Sequence, residues 1–279
     1  MSHREVLHGP PGNRAERNRK EFNMKYAAVL IIALGFATGV ATAQEKLTGR
    51  QIAEKVYARN DGTDSVARVE MTLFDKSGAE RKRQLDMKSK DRGDLSDSFI
   101  EFTAPADIAG TRFLTLDNKT EDDIQYLFLP AVGRARRIVG GQKDQSFVNT
   151  DFTYEDMTRR SPEEDNQTLL KEEKWEGFDC YVVEMTSIKP DDSQYSKTIT
   201  WIDKQSFVAV RVDFYDKKGE KTKQLTVKKL EQKSGIWTVM EAVMENFKRK
   251  TKTVLKTTEM KYNSGLEDKI FTLRNLEEK

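Results

Sequence analysis

From Thr48 the chain begins with a short helical period. Ile52, Val56 and Tyr57 recur on one face, the narrow apolar stripe of a helix that needs a sheet or a barrel mouth to cover. Thr48 and Gln51 form a capping-box pattern, and Asn60-Asp61-Gly62 ends the element. The period then changes to two. Val69, Met71 and Leu73 alternate with Arg68, Glu70 and Thr72. Asp75-Lys76-Ser77-Gly78 supplies a turn with Gly where a positive φ is needed, and a return strand passes through Leu85 and Met87. Further strands are predicted around Ile100 and Phe102, over Phe113 to Leu116, and over Ile124 to Leu129, the last stopped by Pro130.

The second half repeats the style. Strands are predicted over Tyr181–Ser187, Thr198–Asp203, Phe207–Tyr215, Lys223–Leu230, Trp237–Asn246 and Leu255–Tyr262. The third of these alternates through Val208, Val210, Val212 and Phe214. Asp151–Met157 reads as a short helix start, with Phe152 and Tyr154 either lid aromatics or core. Many short strands with turn signals between them predict a mainly β (α+β) chain built on an antiparallel sheet, sandwich or barrel. Asp216-Lys217-Lys218-Gly219 echoes the turn at Asp75, which two hairpins sharing one turn chemistry explain without duplication.

The N-terminus belongs to a different class of segment. From Met24 the chain reads Met-Lys-Tyr, then an apolar run from Ala27 to Val40, then Ala41-Thr42-Ala43 before Gln44. These are the three parts of a secretory signal peptide, and the run is short for a retained membrane anchor. Residues 1–43 are therefore expected to be an N-terminal extension and signal peptide that is removed, with the start at Met1 or Met24 left open. Residues 44–279 are expected to be one domain, exported to the periplasm.

Removing that segment changes the charge. The whole chain has 279 residues and a formal net charge of +2. Residues 1–43 hold six of the 48 Lys/Arg and three of the 46 Asp/Glu, leaving 42 basic and 43 acidic side chains. A nucleic-acid binder needs a strong basic excess, which is missing. Cys180 is the single cysteine, so no intrachain disulfide can form. Its strand-like surroundings suit a buried thiol.

Chemistry is thin. The two histidines, His3 and His8, both precede the expected cleavage. Without imidazole, Ser-His-Asp and Cys-His catalysis and His-containing zinc sites drop out. The acidic runs Glu121-Asp122-Asp123, Glu155-Asp156 and Glu163-Glu164-Asp165 could in principle supply carboxylate pairs, but such runs are usually solvated loop surface. No catalytic residue, metal site or cofactor is expected.

Residues 99–157 are less generic. They run Phe99-Ile100-Glu101-Phe102-Thr103-Ala104-Pro105, Gly110-Thr111-Arg112-Phe113-Leu114, Tyr126-Leu127-Phe128-Leu129-Pro130, Arg134-Ala135-Arg136-Arg137-Ile138, Ser146-Phe147 and Thr150-Asp151-Phe152-Thr153-Tyr154-Glu155-Asp156-Met157. In this order they resemble the outer-membrane lipoprotein-sorting protein family, relatives of the periplasmic lipoprotein carrier (LolA/LolB-like), in the branch found with RND-type (MMPL) transporters.

The resemblance implies an unclosed antiparallel β-barrel with helices across its mouth and an apolar cavity for acyl chains. It implies a carrier of a lipid or lipoprotein acyl group, or a non-catalytic accessory partner of an RND-type transporter, soluble and in transient membrane contact. By alternation, Met71, Leu73, Leu85, Met87, Ile100, Phe102, Phe113, Tyr126 and Phe128 are the candidate cavity residues. An ordinary filled core is the other reading, and parity cannot separate the two. Arg134, Arg136 and Arg137 either meet lipid headgroups or a transporter's acidic patch, or form a charged edge strand that discourages stray pairing.

Overall fold

A computed structural model describes residues 46–118 and 121–278; the expected signal peptide and the start at Gln44 lie outside the described residues. The helix is where the sequence puts it. Helix α1 (Gly49–Tyr57) is capped by Thr48, whose hydroxyl accepts from the Gln51 backbone N–H while the Gln51 side chain accepts from Thr48 N–H at 2.8 Å.

Thirteen strands follow: β1 (Asp64–Phe74), β2 (Glu80–Arg92), β3 (Leu95–Ala104), β4 (Arg112–Leu116), β5 (Ile124–Leu129), β6 (Arg134–Ile138), β7 (Asp165–Trp175), β8 (Phe178–Ser187), β9 (Tyr195–Asp203), β10 (Ala209–Asp216), β11 (Lys221–Lys233), β12 (Ile236–Asn246) and β13 (Thr251–Tyr262). They form one sheet in the order β6-β5-β4-β3-β2-β1-β13-β12-β11-β10-β9-β8-β7. Two meanders are thus joined where β1 pairs antiparallel with β13, from Ser65 opposite Tyr262 to Phe74 opposite Lys252. The sheet ends at β6 and β7 and does not close. A short helix α2 (Leu273–Glu277) ends the described chain.

The two echoing hairpins share a turn in atomic detail. Asp75 Oδ1 accepts from the backbone N–H of Ser77 and Ala79 at 2.8 and 3.0 Å. Asp216 Oδ1 accepts from Lys218 and Glu220 at 2.9 and 3.0 Å. Gly78 and Gly219 both take positive φ, 85° and 78°, a conformation that glycine adopts without a Cβ clash.

Strand β7 is the element that periodicity misses. None of its residues is buried, because an edge strand in contact with water has no apolar face to alternate. Helix α1 lies on it so closely that a Cβ on Gly49 would sit 2.6 Å from the Gln167 carbonyl oxygen. The other side of the contact is apolar: Ile52 packs with Val183 and Ile202, with Val56, Leu169 and Met185 around them.

Residues 139–164 carry the chain from β6 at one edge to β7 at the other, and act as a strap. Only Glu155–Met157 of the expected helix start turns, as a single 3-10 turn. The strap's aromatic side chains enter the first meander. Phe147 meets Phe113 at 5.0 Å between centroids and Tyr154 at 5.7 Å, edge to face. Buried in the same cluster are Met71, Leu85, Ile100 and Phe102. On the opposite face of those strands Phe99, Leu114 and Phe128 pack with Phe271 and Leu276 from the C-terminal segment.

Candidate ligand cavity

A cavity of about 410 Å³ lies between α1 and the second meander. Its apolar wall is made of Met185 from β8, Ile202 from β9, Val212 and Phe214 from β10, Leu225 from β11 and Met244 from β12. Ala53 and Val56 of α1 face them from above. Met185, Val212, Phe214 and Leu225 are only half-buried although they point into the fold. Packed interiors leave few voids larger than a water molecule, so a space of this size with such walls suits a guest of similar chemistry.

A buried polar seam from the strap closes one side. The Lys223 ammonium sits 2.5 Å from Asp156 Oδ2, with the two side chains 6% and 3% exposed. Tyr195 donates its hydroxyl to Asp156 Oδ1 at 2.7 Å, and Thr153 N–H donates to Asp156 Oδ2 at 2.7 Å. Burial, and then the Asp156 charge, push the Tyr195 phenol far above its usual range, so it remains a donor. Beside it Glu155 accepts from Gln194 N–H at 3.0 Å and from the Ser193 hydroxyl. The seam gives Asp156 a cation and both carboxylates hydrogen-bond donors, and it holds the strap to β9 and β11.

The remaining acidic runs are also engaged. Glu163 pairs with Arg50, Asp165 with Arg160 and Asp122 with Lys143. Among the described residues no group of three or more His, Cys, Asp or Glu is placed to hold a metal ion.

The nine residues nominated by alternation lie elsewhere. Met71, Leu73, Leu85, Ile100, Phe102 and Phe113 are buried beneath the strap, and Met87 packs against them half-buried. Phe128 and, half-buried, Tyr126 lie on the opposite face with the C-terminal segment. None of the nine lines the cavity under α1. The physical reason is the strap: Phe147 and Tyr154 fill the hollow of the first meander and leave that of the second open.

The clean alternation of β10 also breaks. A register shift between Ala209 and Arg211 puts Val210 in the cluster of Cys180 and Trp201, while Val212 and Phe214 face the cavity. The period-two signal for the lining was present in the sequence; which meander stays hollow was not. Arg134, Arg136 and Arg137 are exposed on β6, the edge of the sheet.

A family model described only as "Uncharacterized protein" matches residues 94–278. The crystal structure of a DUF1329 family protein from Desulfovibrio piger superposes with a TM-score of 0.78 at 31% identity, over 82% of this chain and 97% of that one. A protein domain from Vibrio parahaemolyticus described as outer-membrane lipoprotein-sorting gives a TM-score of 0.78 at 32% identity, over 82% and 98%. The chain belongs to the outer-membrane lipoprotein-sorting protein family.

A LolA superfamily protein from Nitrosomonas europaea, at 23% identity and a TM-score of 0.65 over 81% and 98%, shares the family's fold. No curated protein matches in sequence. Family membership accounts for the unclosed sheet with α1 across it. Among the described residues no helix is long and apolar enough to cross a membrane.

Proposed function

We propose that this protein binds an acyl chain in the cavity under α1 and carries it through the periplasm as a lipid or as the anchor of a lipoprotein. The observation that supports this most directly is the pairing of an apolar wall (Ile202, Val212, Leu225, Met244) with a small roof, one nine-residue helix resting on an edge strand. A carrier needs a guest site that is dry when closed and can open without unfolding the sheet. A roof held by one small apolar cluster and a few polar ties at its ends, Arg50 to Glu163 and Arg159 to the Tyr57 carbonyl, meets that need, since such an element opens at less than the global unfolding free energy. Binding, and no covalent step, is the activity this arrangement serves.

Native mass spectrometry of the protein purified from periplasm without detergent tests the reading. A lipid-sized adduct is expected on the wild type, and its loss on Leu225→Arg, which places a guanidinium in the wall. A clean apo mass together with no saturable uptake of a fluorescent fatty acid refutes it.

Partnership with an RND-type transporter has its own motivation. Arg134, Arg136 and Arg137 are exposed on an edge strand, flanked by Val132 and Val139, both more than half exposed. Exposed cations beside apolar side chains fit an acidic partner surface. Changing the three to Glu is expected to abolish pull-down with a transporter's periplasmic domain while leaving acyl binding intact. Unchanged pull-down removes this surface from the account.

A further inference from the structure

The cavity wall includes four cationic side chains, Arg59, Arg159, Arg160 and Lys197. Three are paired with carboxylates. Arg160 reaches Asp165 at 2.8 Å, Lys197 reaches Glu184 at 2.7 Å, and Arg59 lies 3.7 Å from Asp61. Arg159 makes no ion pair among the described residues.

Its position is nevertheless fixed. One Nη donates to the Tyr57 carbonyl oxygen at the end of α1, at 2.8 Å, and the guanidinium lies over the Tyr57 ring at 4.3 Å. Those two contacts leave the other edge of the fork unused. Burial pushes the nearby Asp91 and Asp117 carboxyls up while the Arg159 charge pulls both down, yet neither is hydrogen-bonded to Arg159. A half-buried guanidinium, stacked and held with N–H groups to spare, is built for a carboxylate or phosphate.

The volume limits what accompanies that anion. At the ~30 Å³ that a water-sized group occupies, the cavity accepts about a dozen methylenes. That is enough for one acyl chain.

We propose that Arg159 anchors the anionic head of a single-chain amphiphile whose tail fills the cavity under α1. This rests on the reading that the cavity holds an acyl chain, and it names the class: one chain, with a carboxylate or phosphate at its end.

The test is competition binding to the delipidated full-length protein with ligands of equal chain length: a fatty acid, a monoalkyl phosphate and the uncharged methyl ester. The wild type is expected to bind the better of the two anions at least tenfold tighter than the ester, and whichever anion is tighter identifies the head. Arg159→Gln is expected to reduce the anion to the affinity that the ester shows for the same variant, so that the preference for the anion is what is lost. Arg159→Lys is expected to recover only part of the difference, because an ammonium lacks the fork.

An ester that binds the wild type as tightly as both anions overturns the inference and leaves the acyl-cavity reading standing. No binding by any of the three overturns both. The wild-type comparison needs no variant, so a folding defect in Arg159→Gln does not shelter the proposal.

Discussion

Lys223→Met isolates what the buried seam contributes. The lysine stem lies beside the Tyr195 and Phe214 rings, with its ammonium 5.0 and 5.2 Å from their centroids, so methionine keeps most of the packing and removes only the charge. Asp156 is then left buried without its cation. Breaking one half of a buried pair costs about 3–5 kcal/mol. Here the retained Tyr195 hydroxyl and Thr153 N–H still solvate the carboxylate, which puts the expected loss near the low end, about 3 kcal/mol.

For a unit spanning Leu47–Lys279, each kcal/mol moves Tm by roughly 2–4 °C, so the midpoint should fall by about 6–12 °C. The double variant Asp156→Asn/Lys223→Met removes the orphaned charge along with its partner. It should be more stable than Lys223→Met alone, with a coupling of about 1–3 kcal/mol in the cycle. Urea melts of the four proteins measure this, and limited proteolysis within residues 139–164 reports whether the strap is what loosens. A single variant within about 0.5 kcal/mol of wild type, or a double variant whose loss is the plain sum of the two singles, would refute the seam as the strap's anchor.

Other expectations follow from single sites. Phe147→Ala removes a 2% exposed ring from between Phe113 and Tyr154 and should cost about 3–5 kcal/mol; a thermal shift of less than a few degrees contradicts the strap-as-filler account. Cys180 is fully buried, and burial, then the Asp203 charge, push its thiol up to about 11. Maleimide at pH 8 should label it only once denaturant is added, and stoichiometric labelling of the native protein within minutes counts against the packing described.

Burial, reinforced by Asp117, raises the Asp123 carboxyl to about 7, and its Oδ2 has no hydrogen-bond partner among the described residues. A carboxyl raised by folding contributes stability below its unfolded value, and that contribution is lost as pH climbs to the folded one. Asp123→Asn should therefore raise Tm at pH 8 and leave it unchanged at pH 4. An equal effect at both pH values rules out titration as the cause.

Much of this protein was fixed along the chain itself. The capping box at Thr48 and Gln51, the aspartate-and-glycine turns at Asp75 and Asp216, and most strands follow from local rules: a side-chain oxygen three residues from an orphan N–H, a glycine at positive φ, apolar residues every second position. The ordered residues between Phe99 and Met157 carried the family as well. Edge strand β7 was invisible, because alternation records burial and β7 has no buried face to record.

The tertiary structure alone decided where the hollow lies. Met71, Leu85 and Phe102 in the first meander and Met185, Leu225 and Met244 in the second obey comparable apolar patterns. What separates them is the strap, whose Phe147 and Tyr154, 34 and 41 residues along the chain from Phe113, fold back onto it. A local pattern specifies that a side chain turns inward. Whether it meets another side chain there or an empty volume depends on which distant segment arrives to fill the space, and that is a property of packing in three dimensions.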